Sequence, residues 1–364
     1  MPHLHPSDRQ IQIQQARELC LSGQPRSAQG IGMSPWLVAS WQRCMEQGLQ
    51  TGQQVVFNPV SRQEIQRRTD AHRDIVQVAQ PIMTRLVETI ADRRYFAVLT
   101  DADGVVIGAH GAALAQDRRA RDLARIGVDL SERAVGTTAI GAALHERSAV
   151  WLHQGEHFFQ DNSIFSCAGA PLFGPTGDCI GMLDLTGIET PERQELKHLV
   201  SRSARQIENS LTLATTHSLV VRFNWPGESL GHEGDGLLLL DVDGYVVGAN
   251  SPARQMLGHT IMGARPQSTH ASDIWALPFE HLFDMIGQPV PRTLPTWNGL
   301  HLSALCHATG PRRAVDAERT PLHTLKDAAI KRAVEDAKGN VTLAAKRLGI
   351  GRATVYRRLR GMRK

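Results

Sequence analysis

"FSCAGAPLFGPTGDCIGMLDLTG", residues 165–187, reads as two strands folded back on one another. Each arm is a run of apolar and small residues of strand length, and "GPTGD" between them supplies the Gly and Pro that a tight reversal needs. Upstream, "SAVWLH" (148–153) reads as a third strand. "VGTTAIGAAL" (135–144) has helical spacing instead, with Ile140 and Leu144 four apart on one face. "RYFAVLTDADGVVIGAH" (94–110) adds two strands around an Asp-Ala-Asp-Gly turn at 101–104. The sum is an antiparallel sheet with helices packed on it, with Phe96, Trp151, Phe165 and Leu183 as inward residues.

At 364 residues the chain is too long for one ordinary core, and its 41% hydrophobic and 21% charged content is that of a soluble globular protein. Net charge is +4, from 40 basic and 36 acidic residues, so the whole is no polycation. Cys20, Cys44, Cys167, Cys179 and Cys306 lie far apart with no CxxC pair. That argues against a zinc ribbon, an iron–sulfur cluster or a disulfide framework, and fits a reducing compartment. The N-terminal "MPHLHPSDRQIQIQQ" has no apolar signal core, and no apolar run approaches the roughly 20 residues that span a bilayer. A cytoplasmic protein without a membrane partner is expected.

The blocks "GTTAIGAAL", "GEHFF" and "CAGAPLF" resemble a GAF sensor domain of the acetoin-regulator (AcoR) type. The resemblance extends to "SPWLVASWQRCMEQGL" (34–49), which is similar to the family's leading Ser-Trp-x-Arg-Cys helix. There Ser34 suits an N-cap, Pro35 the first helical position and Gly48 the close. GAF domains hold small molecules between sheet and covering helices. The resemblance therefore implies a pocket for an unidentified small-molecule effector, with candidates Phe96, Val135, Thr137, Thr138, Ile140, Trp151, His157 and Phe165. The same spacings also describe plain core residues. His153 and His157 stand four apart, but no carboxylate or Cys constellation converges on them in sequence, so no metal and no cofactor is assigned. An enzyme on a GAF-like fold would need a reactive Cys with a resolving partner. Cys167 and Cys179 sit in apolar strands, where burial is the better reading, so no catalytic residue is assigned.

"GDGLLLLDVDGYVVGANSPARQMLG" (234–258) gives a strand, an Asp-Gly turn, a second strand and a short helix after Asn250, and resembles the opening of a PAS-like α+β domain. "HASDIWALPFEHLFDMIG" (270–287) continues as helices and "TWNGLHLSALCHA" (296–308) as a closing hairpin. Two helical seams flank the GAF segment: Ile75, Ala79, Ile82 and Leu86 before it, and Val200, Ala204, Ile207, Leu211 and Ala214 after it. Four-three spacing of this kind fits a dimer bundle or packing on the chain's own sheet. The organisation is then an N-terminal helical region at 1–74, the GAF-like domain with its flanking helices at 75–215, and the PAS-like domain at 216–308. A polar, Pro-containing linker at 309–321 leads to an all-α module at 322–364.

In that module, "GNVTLAAKRLGIGRATVYRRL" (339–359) sets two short helical patterns about Gly349, which suits the left-handed end of the first. Asn340 suits the N-cap, while Val355 and Leu359 mark the buried face of the second helix. From Ala337 to Lys364 there are nine Lys and Arg and no Asp or Glu, a local footprint for phosphate. The stretch resembles the Fis-type helix-turn-helix at the C-terminus of bacterial enhancer-binding activators. That implies a helix in the major groove of double-stranded DNA, with Arg352 on a base edge and Thr354 and Arg357 on base or phosphate. Arg358, Lys346 and Arg347 complete the basic face. Gly351 departs from the Ser or Asn common there. The resemblance also implies a homodimer on a near-palindromic operator.

Activators with this tail place an ATPase before it, which needs a GxxxxGK[ST] phosphate loop. Neither that loop nor the sigma-factor-gripping GAFTGA occurs in this sequence. The expected protein is a ligand-sensing transcription regulator that acts without ATP hydrolysis, by contacting RNA polymerase or by blocking it. The other reading is an interaction protein that forms mixed dimers with a full-length activator.

Overall fold

The computed structural model describes residues 6–258 and 269–308. Helices α1 (Pro6–Leu21), α2 (Pro25–Gly30), α3 (Pro35–Glu46), α4 (Arg62–Ala71) and α5 (Arg73–Ile90) come first. Strands β1 (Tyr95–Asp101) and β2 (Val106–His110) then lead into α6 (Ala113–Gln116), α7 (Arg118–Leu123), α8 (Glu132–Val135) and α9 (Ala139–Glu146). Strands β3 (Val150–His153), β4 (Phe165–Phe173) and β5 (Cys179–Ile188) finish a five-stranded antiparallel sheet in the order β2-β1-β5-β4-β3, and α10 (Leu196–Ala214) leaves it.

The hairpin expected at 165–187 lies at the centre of this sheet, with Ala168 opposite Leu185 and Ala170 opposite Leu183. Its side chains alternate between two cores. Phe165, Cys167 and Met182 join Phe96 and Val98 of β1 on one face, under α9 and α3. Ala168, Ala170, Leu183 and Leu185 join Tyr95, Ala97 and Leu99 on the other, under α5 and α10. Such a strand is buried on both sides, which is why its sequence is apolar throughout. α9 comes close to the sheet at Gly169, where a Cβ would stand 2.9 Å from the Ala139 carbonyl oxygen. A side chain there would push the helix off.

Both seams pack on the chain's own sheet. Ala79, Ile82 and Leu86 of α5 and Val200, Ala204 and Ile207 of α10 are all buried in that second core. Each fully buried Leu or Ile of this kind contributes about 1.5–3 kcal/mol. Their spacing is accounted for inside one chain.

The reading of α3 needs one correction. Ser34 stands at its N-cap position, but its side chain caps nothing; only its carbonyl is used, by the N–H groups of Leu37 and Val38. Pro35 is the first helical residue, as expected, and Gly48 closes the end with φ +79°.

A second antiparallel sheet follows from β6 (Leu219–Asn224), β7 (Gly236–Leu240), β8 (Val246–Ala249), β9 (Arg292–Pro295) and β10 (His301–Ala308), in the order β8-β7-β6-β10-β9. α11 (Ser251–Leu257) and two short helices, Ala271–Ile274 and Glu280–Asp284, lie between its two hairpins. β6, which the sequence reading leaves out, is its central strand. Phe223 of β6 packs edge-on against the buried Trp275, ring centres 5.4 Å apart. The two sheets share a turn design. Asp101 Oδ1 accepts from the N–H groups of Asp103 and Val105, and Asp241 Oδ1 accepts from those of Asp243 and Tyr245. Gly104 and Gly244 complete these turns at φ +85° and +89°.

Asn250 ties the second sheet together. Its Oδ1 accepts from the N–H groups of Leu237 and Ala253, the latter capping α11, and its Nδ2 donates to Asp235 O and Asn209 Oδ1. Asn250→Ala leaves several buried partners unpaired, each costing about 1–3 kcal/mol. The variant is expected to lose about 2–4 kcal/mol. An unchanged urea midpoint for the second sheet's tryptophan signal would show that water replaces these bonds.

Candidate functional site

Between the first sheet and α9 lies a small enclosed cavity, walled by Phe57, Val135, Thr138, Ile140, His157, Asn162, Phe165, Cys167, Asp184 and Thr186, among others. Its volume is about 20 Å³, room for about one water molecule. The sheet side of the wall is polar. Thr186 Oγ1 donates to Asp184 Oδ2, the Cys167 sulfur is 3.4 Å from Thr186 Oγ1, and His157 Nε2 is 3.7 Å from the same sulfur. These residues sit at most 6% exposed. Asp184 Oδ1 has no hydrogen-bond partner among the described residues.

Burial sets the protonation of this chain. It pushes the Asp184 carboxyl up to about 7, against the pull of the Thr186 hydroxyl. It also raises the Cys167 thiol far above its ordinary value, and the nearby Asp184 charge adds to the rise. His157 is driven down to about 4, so its ring is neutral at pH 7. Its Nδ1 lies 2.9 Å from the Gln154 carbonyl, which accepts a hydrogen bond from the Nδ1–H and leaves the Nε2 lone pair facing Cys167. A high thiol value opposes thiolate chemistry at Cys167.

The N-terminal helices cover this region through polar clasps. Arg17 of α1 donates to the carbonyl oxygens of Gly155, His157 and Phe158, the loop that carries His157. Its guanidinium also lies 5.6 Å from the Trp41 ring centre. Arg9 pairs with Glu156, whose carboxyl burial pushes up to about 7 although Arg9 pulls it back. The Ser-Trp-x-Arg-Cys helix uses every named position. Trp41 Nε1 donates to Glu156 O at 2.8 Å, and Arg43 Nε holds Glu132 of α8 at 3.0 Å. Ser40 donates to Glu132 and lies 2.8 Å from Thr137 Oγ1, while Cys44 stands 3.5 Å from that same hydroxyl. Between α1 and the loops after β3 and β5 runs a larger groove of about 560 Å³, lined by Arg9, Gln14, Arg17, His153, His157 and Glu192 among others.

The structure brings together five of the residues singled out from sequence. Val135, Thr138, Ile140, His157 and Phe165 all line the inner cavity. Thr138 does so while capping α9, its Oγ1 accepting from Gly141 N. Three others lie elsewhere. Trp151 packs into the core under α5 and α10, on the opposite face of the sheet; Phe96 is buried core, and Thr137 is a strut to α3. Strand alternation explains Trp151: Val150 and Leu152 on either side of it point to the cavity face. His153 and His157 do not converge, since His153 Nδ1 faces Ser166 Oγ at 2.7 Å. No group of three metal-binding side chains occurs among the described residues. Nor is any described helix long and apolar enough to cross a membrane. Asp184, Thr186, Cys167 and Asn162 were missed as cavity residues. Arg352, Thr354, Arg357, Arg358, Lys346 and Arg347 lie outside the described residues.

The Asp184 shift fixes a pH effect. In the folded chain its carboxyl titrates near 7, against an ordinary value of 3.8, so protonation favours the fold. That contribution is complete below about pH 4 and is lost as pH rises through about 7. Asp184→Asn removes this dependence. Between pH 5 and 7, wild-type stability is expected to fall relative to the variant by up to about 1.4 kcal/mol per pH unit. Parallel pH profiles of urea midpoints for the two proteins would overturn the assignment.

Comparison with known proteins places these features in a family. Residues 327–361 match the family model described as "Bacterial regulatory protein, Fis family". Over 254 residues the chain is 32% identical to the acetoin catabolism regulatory protein of Cupriavidus necator, a match covering 67% of this chain and 37% of that one. It is 31% identical over 211 residues to the propane 2-monooxygenase operon transcriptional activator MimR of Mycolicibacterium goodii, covering 57% of this chain and 34% of the relative. The matches thus span only about a third of these relatives' length. Among solved structures, the E. coli DhaR(N)–DhaL complex aligns with 76% of this chain and all of that one at 17% identity and a TM-score of 0.47. One family model, "MimR, N-terminal domain", runs unbroken over residues 9–209, from α1 through the first sheet into α10. Since that is more than half of the chain, this protein belongs to the MimR N-terminal domain family.

Proposed function

We propose that this chain is a sequence-specific DNA-binding transcription regulator. Its first sheet, a GAF-like module, senses a small molecule, and its Fis-type segment holds a near-palindromic operator as a dimer. The second sheet is a PAS-like module on this reading. The observation that carries it is the pairing of a Fis-family match at 327–361 with an enclosed cavity whose wall holds a buried, unpartnered carboxyl oxygen. The named relatives are an acetoin catabolism regulatory protein and an operon transcriptional activator, which agrees. This sequence contains no phosphate-binding GxxxxGK[ST] loop, and the proposal is action without ATP hydrolysis, through RNA polymerase contact or by blocking. Because both dimer seams are used on the chain's own sheet, the dimer contact is proposed to come from other surfaces.

Sensing and DNA binding are then linked. A ligand that favours one operator-binding state must change DNA affinity, and operator DNA must change ligand affinity by the same factor. Sheared genomic DNA retained by the protein at moderate salt is expected to be enriched in one near-palindromic site. Arg352→Ala should abolish the enrichment, since an Arg–guanine contact is worth about 1–3 kcal/mol of discrimination. Salt must be moderate because phosphate contacts alone retain DNA when it is low. Equal retention of all sequences by both proteins would sink the reading.

A further inference from the structure

Two spaces meet at one ring. His157 is a wall of the 20 Å³ inner cavity and a wall of the 560 Å³ groove beneath α1. Its Nδ1 faces Gln154, which lines the groove, and its Nε2 faces Cys167, which lines the cavity. The residue is 1% exposed. Behind it, Asp184 Oδ1 is enclosed without a partner, on a residue that is also 1% exposed. A buried polar atom left unpaired costs about 1–3 kcal/mol, and an occupant able to bond with it recovers that cost.

We propose that groove and cavity form one binding site, partitioned by the His157 ring, for a small uncharged molecule whose hydrogen-bonding head reaches Asp184. This deepens the sensing role proposed above and rests on it for its biological meaning, though not for its test. The charge of the occupant follows from the walls. No Lys or Arg lines the inner cavity, so an anion would enter a desolvated space beside a carboxyl group with nothing to neutralise it. In the groove both cations are already engaged. Arg9 pairs with Glu156 and Glu192, and Arg17 is held by the carbonyls of Gly155, His157 and Phe158. Thr186 and the neutral His157 ring add a hydroxyl and a lone-pair acceptor to the head-group end.

The partition is also tied to the cover. Arg17 bonds the main chain of His157 itself, so swinging this loop moves the anchor of α1. Occupancy of the inner cavity is therefore read out as a change in how α1 is held, a coupling with named groups at both ends.

Cys167 is a built-in reporter, because its thiol lies just inside the partition. We would measure alkylation of Cys167 by iodoacetamide, which is small and neutral, in the whole protein, using peptide mass spectrometry. The buried Cys306 of the second sheet serves as the internal control for unfolding. His157→Ala is expected to speed Cys167 labelling at least 10-fold with Cys306 unchanged. Gln14→Trp, which fills the groove from the exposed face of α1, should slow Cys167 labelling in the otherwise wild-type chain and reverse the acceleration in the double variant. Iodoacetate, the anionic counterpart, should show no comparable gain after normalising both reagents to the half-buried Cys179. Equal rates in wild type and His157→Ala would overturn the partition, as would matched acceleration of Cys306, which marks unfolding. No effect of Gln14→Trp would overturn the groove as the route, and equal gains with iodoacetate would overturn the preference for an uncharged occupant. These outcomes are independent of operator binding, so the site and the regulatory reading fail separately.

Discussion

A sheet whose strands are apolar on both faces needs two covers, and most of this structure follows from how the first sheet obtains them. One cover is supplied by α5 and α10, long helices that commit Ala79, Ile82, Leu86, Val200, Ala204 and Ile207 to a continuous apolar core. The other is assembled from short pieces: α8, α9, the loop at 154–163, and the N-terminal helices α1 and α3. Short helices present little apolar stripe each, so the second cover relies on clasps of charge and hydrogen bond. Arg17 on three carbonyls, Trp41 on Glu156, and Ser40 and Arg43 on Glu132 hold it. The cavity lies on that side of the sheet. One face of the sheet is thus held by a continuous apolar core and the other by polar clasps.

Much of the fold was legible because its signals are local. The hairpin at 165–187 and the Asp-Gly turns follow from apolar runs and turn residues and lie where they were expected, whereas the helical span read at 135–144 begins only at Ala139, after the Thr138 cap. β6 escaped because "LVVRFN" is short and is separated from its neighbour β7 by a polar segment, so nothing local marks it as the strand between two hairpins. The seams were ambiguous for a sound reason. A helix lying on a sheet and a helix in a coiled coil bury the same four-three stripe, and only the partner distinguishes them.

The site was less legible than the fold. His157, Thr138, Val135, Ile140 and Phe165 line the cavity as expected, whereas Trp151, named with them, is turned by strand alternation to the other face. Asp184 was overlooked, yet the sequence carries a signal for it. In "CIGMLDLTGI" one carboxylate stands inside an unbroken apolar strand, where an unpaired charge is expensive. A residue so costly to bury invites the question of what it meets. Arg17 shows the reverse case: in "IQIQQARELC" it is one more polar position on a weakly patterned helix, and its three carbonyl partners lie about 140 residues away. Long-range polar clasps leave no periodic trace.

The strand that carries Asp184 also reaches the second sheet. The turn between β4 and β5 contains Pro175, whose carbonyl accepts from Ala249 N at 2.9 Å and from the Arg254 guanidinium. Beside it, Phe173 N donates to Glu208 Oε1 of α10 at 2.9 Å, and Asn209, next along α10, meets Asn250 at 2.7 Å. Burial holds Glu208 near 7, so this junction contains a carboxyl group poised between charged and neutral in the physiological range. Hairpin turn, α10 and second sheet are thus joined by one main-chain hydrogen bond and by bonds from the Arg254, Glu208, Asn209 and Asn250 side chains. On the sensing reading, this continuity locates the first step of a signal. An occupant at Asp184 acts on a strand whose preceding turn is bonded, through the Pro175 carbonyl, to Ala249 of β8 and Arg254 of α11.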